Sequence, residues 1–198
     1  MKQFLIFVCL LICDFIHAQN EISNEEKKLR TTGDFSEFLN AIKNNSTENC
    51  LCQQNEYTIF NFSTSSNKMA SLCISKVITA NYGHIIYRYG TKRKIELVYP
   101  TDTLNSLSKF QFLMYSRGGG KQNAGMELNN INFTNNNFTY TLYDDYYSED
   151  ESYLKGIMIT NSSTGKEVRI GAKRNVIGHL SSFRDKNIVK FDPDGEAK

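Results

Sequence analysis

From residue 56 onward, apolar and polar side chains alternate with a period of two, and this constrains the fold more than any other feature of the chain. In KIELVY, residues 94–99, Ile95, Leu97 and Tyr99 share one side. Phe110, Phe112 and Met114 repeat the pattern, as do Phe138, Tyr140 and Leu142. Successive strand side chains point to opposite faces of a sheet, so such a stretch buries one face and wets the other. Residues 57–62, 70–78, 84–89, 125–133, 154–160 and 166–170 are further strand candidates. Turn signals separate them at Tyr82-Gly83, Gly90-Thr91, Asn135-Asn136-Asn137 and Ser163-Thr164-Gly165. Short strands and turns at this spacing predict a mainly β chain, an antiparallel sandwich or open barrel. At Asn129-Asn130 the phase breaks between Met126/Leu128 and Ile131/Phe133, which predicts a bulge.

One amphipathic helix precedes the strands. Phe35, Phe38, Leu39 and Ile42 fall on a single helical face, and Asp34 followed by Glu37 forms a cap signal. Residues 34–190 are expected to form one β-rich domain with this helix at its start. Residues 19–33 are expected as a polar N-terminal tail or loosely held helix, and residues 191–198 as a polar C-terminal tail. Tryptophan is absent, so 11 Tyr and 13 Phe supply the bulky core material.

A basic start (Met1-Lys2) followed by nine apolar residues, 4–12, has the pattern of a secretory signal peptide over residues 1–18, cut at Ala18/Gln19. A bilayer span needs roughly 20 apolar residues, more than this segment offers. The expected location is secreted or periplasmic, with no transmembrane segment in the mature chain. Without Lys2 and Asp14 the mature chain keeps 22 basic and 20 acidic side chains, from 23 and 21. That balance draws it neither to nucleic acid nor to a membrane surface.

Cys9 and Cys13 leave with the signal, and Cys50, Cys52 and Cys73 remain. In an oxidising compartment one bridge is expected, Cys50–Cys73 or Cys52–Cys73, leaving one thiol over. A Cys50–Cys52 bridge would be strained. Cys-Leu-Cys alone is an incomplete metal set without the paired Cys-x-x-Cys spacing, so no metal and no cofactor are expected.

Gly118-Gly119-Gly120-Lys121 poses the question of a phosphate loop. A Walker-type loop needs another Gly four residues before the Gly-Lys pair and Ser or Thr after the Lys, where this chain has Tyr115 and Gln122. The run is therefore expected as a bend between strands, with Arg117 and Lys121 available to contact another protein. Arg88, Lys92, Arg93 and Lys94 cluster around Gly90, interleaved with Tyr87 and Tyr89. They suggest a basic hairpin tip with aromatic sides for an anionic ligand or acidic protein groove. A solvated turn that guards an edge strand is the plainer reading. YDDYYSEDE, with Asp144, Asp145, Glu149, Asp150 and Glu151, lacks the spacing and central Gly of an EF-hand and is expected as a solvated loop.

For catalysis, Cys73 and His84 form a candidate nucleophile–base pair, unless a disulfide consumes the sulfur. His179 stands without a nucleophile elbow or a His-Glu-x-x-His motif, and a glycosidase carboxylate pair needs no local motif at all. Six Asn-x-Ser/Thr sequons, at Asn44, Asn45, Asn61, Asn132, Asn137 and Asn161, are what an Asn-rich chain produces by chance.

SLCISK at 71–76, YRYG at 87–90 and KIELVYP at 94–100 resemble a pattern of small, exported, uncharacterised bacterial proteins. FLMYSR at 112–117 and FTYTLY at 138–143 extend the likeness over roughly residues 70–145. The resemblance implies a periplasmic or secreted β domain. Periplasmic lysozyme inhibitors share that style (small, exported, β-rich, disulfide-bearing), but their motifs are not evident and no inhibitory residue carries over. Taken together, the sequence suggests an exported, non-enzymatic binding protein whose partner is another protein that it inhibits or neutralises. A periplasmic hydrolase using dispersed carboxylates or Cys73/His84, and a structural envelope component, are the alternatives.

Overall fold

The computed structural model describes residues 22–120 and 123–192. The signal-peptide segment, Lys121 and the tail beyond Asp192 lie outside the described residues. The chain is mainly β. Helices α1 (Asn24–Thr32) and α2 (Phe35–Ile42) precede β1 (Glu56–Ser63), β2 (Met69–Ser75), β3 (Ile85–Thr91) and β4 (Lys94–Tyr99). Then come β5 (Gln111–Arg117), β6 (Met126–Asn135), β7 (Phe138–Tyr147), β8 (Ser152–Asn161), β9 (Glu167–Gly171), β10 (Arg174–Ile177) and β11 (Lys190–Phe191). One sheet has the order β10-β1-β2-β3-β4 and the other β11-β5-β6-β7-β8-β9. All pairings are antiparallel except β11 with β5.

The chain enters the second sheet after β4 and returns after β9 through two residues. Ala172 N–H donates to Lys155 O of β8, and Lys173 N–H donates to Ser63 O of β1. The inner faces share one core, with Phe60, Phe62, Leu72, Ile74 and Tyr87 from the first sheet meeting Phe112, Ile131, Phe133, Leu142 and Ile157 from the second. Phe133 stacks between Tyr99 (4.5 Å) and Tyr140 (4.8 Å) and touches Tyr87 at 5.1 Å, so one ring joins both sheets. Each such buried side chain contributes roughly 1.5–3 kcal/mol. Alternation along the strands supplies these rings to one face, as the sequence predicts.

Helix α2 forms where the apolar spacing places it. Asp34 caps it by accepting from Glu37 N–H at 3.1 Å, and Phe38 and Ile42 are buried, Phe38 against Phe183 at 5.0 Å. Three expectations need correction. Residues 24–32 are neither a polar tail nor loosely held: of the two readings the helix is right, and α1 is fixed by buried Glu26, Leu29 and Arg30. The C-terminal tail does not begin at 191, because Phe191 pairs with Phe112 in β11. At Asn129-Asn130 there is no bulge: β6 keeps one register with β5 and with β7, though its ladder to β7 is interrupted at Leu128 and Asn129. Met126 and Leu128 occupy the outer face while Asn129, Ile131 and Phe133 point inward, so a polar residue on the inner face mimics a change of phase.

Candidate binding face

Cys73 bonds to Cys52, while Cys50 is free and buried. An oxidised sulfur cannot attack, so the Cys73/His84 nucleophile is ruled out. Cys52, Cys73 and Glu56 place ligand-type atoms close together, but the two sulfurs hold each other and Glu56 is engaged elsewhere, so these groups form no metal set. The bridge fastens residues 49–53 across the outer face of the first sheet. There Leu51 N–H donates to Ser71 Oγ at 2.9 Å and Asn61 Nδ2 donates to Asn49 O at 3.1 Å. Replacing Cys52 and Cys73 by Ala should lower stability by roughly 3 kcal/mol, from the 21-residue separation, whereas Cys50→Ala should cost less. Denaturant titration of the three proteins measures this.

Glu56, fully buried, gathers the ionic groups beneath that cover. Arg88 Nη1 and Nη2 donate to its two oxygens at 2.6 and 2.8 Å, His84 Nε2 at 2.9 Å, and Gln53 N–H at 2.7 Å. Burial alone would raise the Glu56 carboxyl, but bonds from His84, Arg88 and Gln53 with the Arg88 charge pull it down to about 2. Ser75 Oγ lies 3.1 Å from His84 Nδ1, so Ser75, His84 and Glu56 line up like a nucleophile, base and acid. Ser75 is 1% exposed and also accepts from His84 N–H at 3.0 Å, which leaves it no approach to a substrate. Both oxygens of Glu56 and both ring nitrogens of His84 have partners within the group, as a structural network requires.

The expected basic patch divides. Arg88 is not at the hairpin tip but 6% exposed beneath residues 51–56, and Tyr87 points into the core. Lys92, Arg93 and Lys94 stand exposed at the β3–β4 turn, and no ion pair holds them among the described residues. Arg117 Nε donates to Ala124 O at 3.1 Å, closing the loop that contains the glycine run between antiparallel β5 and β6. That run is the bend the sequence suggests. The acidic stretch is also not all loop, since Asp144 and Asp145 lie within β7 on opposite faces. Asp144 points inward, 2.7 Å from Lys155 Nζ and 3.4 Å from His179 Nδ1, and accepts Leu180 N–H at 3.0 Å.

What remains is the outer face of the second sheet, which no other segment of the described residues seals. Registers place Gln111, Asn132, Thr141, Met158 and Arg169 in one row across five strands, and Leu113, Asn130, Tyr143, Gly156 and Gly171 in the next. A Cβ at Gly156 would lie 2.4 Å from Tyr143 Oη, so the tyrosine crosses that strand; Gly171 beside it is open. Asn130 Oδ1, Asn132 Oδ1 and Asp145 Oδ1, all on this face, are buried acceptors without a partner among the described residues. Burial, reinforced by the Asp144 charge and opposed by the Asn129 N–H and Arg169, pushes Asp145 up to about 6. Burial likewise raises the phenols of Tyr143 and Tyr147 on either side. Where β5 begins, the face runs into a cleft of about 670 Å³. Tyr99, Asn105, Ser108, Gln111, Asn132 and Thr134 line it, and Glu25 and Lys190 pair with each other on its wall at 2.7 Å. Sequence reasoning missed this region because none of its residues forms a local motif. The run of Asn and Thr at 129–141 was its one visible trace.

Comparison with known proteins finds no matching family, no matching curated protein and no matching solved structure.

Proposed function

We propose that this chain is an exported, non-enzymatic binding protein that holds its ligand on the outer face of the second sheet. One observation carries the reading: the chain covers the middle of the outer face of the first sheet, over Asn61 and Ser71, with its own residues 49–53, yet leaves three buried acceptors on the second without a partner among the described residues. Unpaired buried polar atoms cost about 1–3 kcal/mol each, and such costs concentrate where function requires them. The groups suited to nucleophilic chemistry are meanwhile engaged in the disulfide and the Glu56 network. The apolar start of the sequence and the disulfide support export. Among the described residues no helix is long and apolar enough to cross a membrane. The same reading takes the two sheets as the layers of a sandwich, and keeps the likeness to small exported bacterial β proteins as kinship of style. The unpaired tip at Lys92, Arg93 and Lys94 favours a second contact, with an acidic protein surface, and charge reversal there should weaken it in a salt-dependent way.

The test needs no ligand. A carboxyl raised in the folded state favours folding at low pH, and that contribution is lost as pH rises through its folded value. Ionised Asp145 therefore opposes folding at pH 7. Asp145→Asn should stabilise the protein there by on the order of 1 kcal/mol after solvent screening, with the gain disappearing as pH falls from about 6 toward 4. Denaturant midpoints across pH 4–8 measure it. A loss of stability at pH 7 would make Asp145 a structural residue and remove the basis of the reading.

A further inference from the structure

The ligand of this face follows from what its polar atoms lack. Resting on the binding-face reading, we infer that the cleft and the adjoining face take a neutral, hydroxyl-rich ligand, a saccharide chain. Asn130, Asn132 and Asp145 each hold, just beneath the face, an oxygen with no donor among the described residues. Three unpaired acceptors call for a ligand rich in donors, either hydroxyls or an ammonium group. Charge decides between these. Lys109 lines the cleft with no ion pair among the described residues, Glu25 there is already paired with Lys190, and the Arg169 charge acts on Asp145. A cationic ligand would meet Lys109 and Arg169 with only the Asp145 carboxylate in its favour, whereas a sugar hydroxyl is repelled by neither sign.

The cleft fits such a ligand in size and lining. About 670 Å³ falls within the range of small-molecule sites, roughly 300–1,000 Å³. Its neutral wall is built from amides and hydroxyls, which both donate and accept as sugar hydroxyls do. Tyr99 adds an aromatic ring for the apolar face of a sugar. Because no bond restrains Asn132 Oδ1, rotation about its terminal side-chain torsion can turn the oxygen toward the cleft. Asn132 is the hinge of the site: it lines the cleft and also stands in the outer row next to that of Asn130 and Tyr143. Rows two residues apart are about 7 Å apart along a strand. A linear chain seated in the cleft thus reaches Asn130 and then Asp145 by running along β6 and β7.

The experiment is a titration of the ¹⁵N-labelled protein with neutral oligosaccharides: gluco-, manno- and N-acetylglucosamine oligomers of two to six units. Spermidine and a uronic-acid oligomer serve as charged comparisons. The expected result is saturable amide shifts confined to residues 105–111, 130–134 and 139–147 for a neutral chain. Asn132→Ala should weaken that affinity about tenfold, the loss of roughly one hydrogen bond. The sugar should be recovered uncut, because the face holds and does not cleave. Shifts with spermidine or the uronate alone, shifts elsewhere, no shifts at all, or affinity unchanged in Asn132→Ala would overturn the saccharide assignment. Cleaved sugar would overturn the non-enzymatic reading beneath it. The Asp145→Asn stability test has a separate readout, so failure of the binding-face reading is told apart from failure of the saccharide assignment.

Discussion

Arg88→Met should lower the thermal midpoint by on the order of 10 °C. The substitution removes two donors at 2.6 and 2.8 Å and leaves the Glu56 carboxylate buried with no counter-charge of comparable reach. Breaking one partner of a buried pair costs about 3–5 kcal/mol, and at this size each kcal/mol moves the midpoint by about 2–4 °C. His84 and the Gln53 N–H still donate to Glu56, so the lower half of that range is expected. The double variant Glu56→Gln/Arg88→Met should recover part of the loss, because the orphaned charge is gone. A single variant that melts within about 2 °C of the parent would show that the pair is idle.

The same network sets the acid limb. Glu56 is held at about 2 when folded and has an ordinary value of 4.5. A carboxylate depressed by folding contributes stability above its unfolded value and loses it as pH falls through the folded one. Between about pH 4.5 and 2 the protein should lose on the order of 2–3 kcal/mol from this group alone. Glu56→Gln abolishes that step. Asp145, pushed up to about 6, acts in the opposite direction over a higher window, so the two variants separate the contributions.

Period-two alternation made nine strands legible, because a pleated backbone forces side chains to opposite faces whatever the tertiary context. It could not say which outer face would be covered. Arg88 alternates correctly with Tyr87 and Tyr89, yet its partner Glu56 lies 32 residues away and its cover comes from residues 49–53. A cation that looks solvated in sequence is therefore buried. Asn129 misled in the reverse sense: it faces inward, donates to Asp144 O at 3.2 Å and accepts from Arg184 Nε at 2.8 Å. Pairing at that range leaves no periodic trace. The short strands β10 and β11, of four and two residues, were missed for a simpler reason, since neither is long enough to show a period. The cleft stayed hidden because it joins α1, the end of β4, the start of β5 and the end of β6 through one to three residues of each.

Sequence reading allowed α1 only as a tail or a loosely held helix because its buried face includes a charged pair, and this gives the second large effect. Arg30→Met should destabilise by about 3–5 kcal/mol and loosen two distant loops together. Arg30 Nη1 donates to Thr79 O and Tyr82 O at 2.9 and 2.8 Å, and Nη2 donates to Gly83 O at 2.8 Å and Leu104 O at 3.3 Å. Glu26, one turn earlier and 2.9 Å from Arg30, accepts Leu107 N–H and Ser108 N–H at 3.4 and 2.8 Å. One guanidinium thus answers four carbonyls from two loops, and its partner carboxylate caps the short helix at Leu107–Lys109 that borders the cleft. Methionine fills the space but leaves the buried Glu26 carboxylate without its counter-charge and the Thr79, Gly83 and Leu104 carbonyls without their guanidinium donor, while Tyr82 O keeps Thr79 N–H. Arg30→Lys should recover little, because a point charge cannot reproduce the planar fork. Hydrogen exchange distinguishes this from general weakening: amides in residues 79–85 and 104–109 should lose protection well before β1 and β2. Protection falling equally across the sheets would mean that Arg30 does not organise these loops.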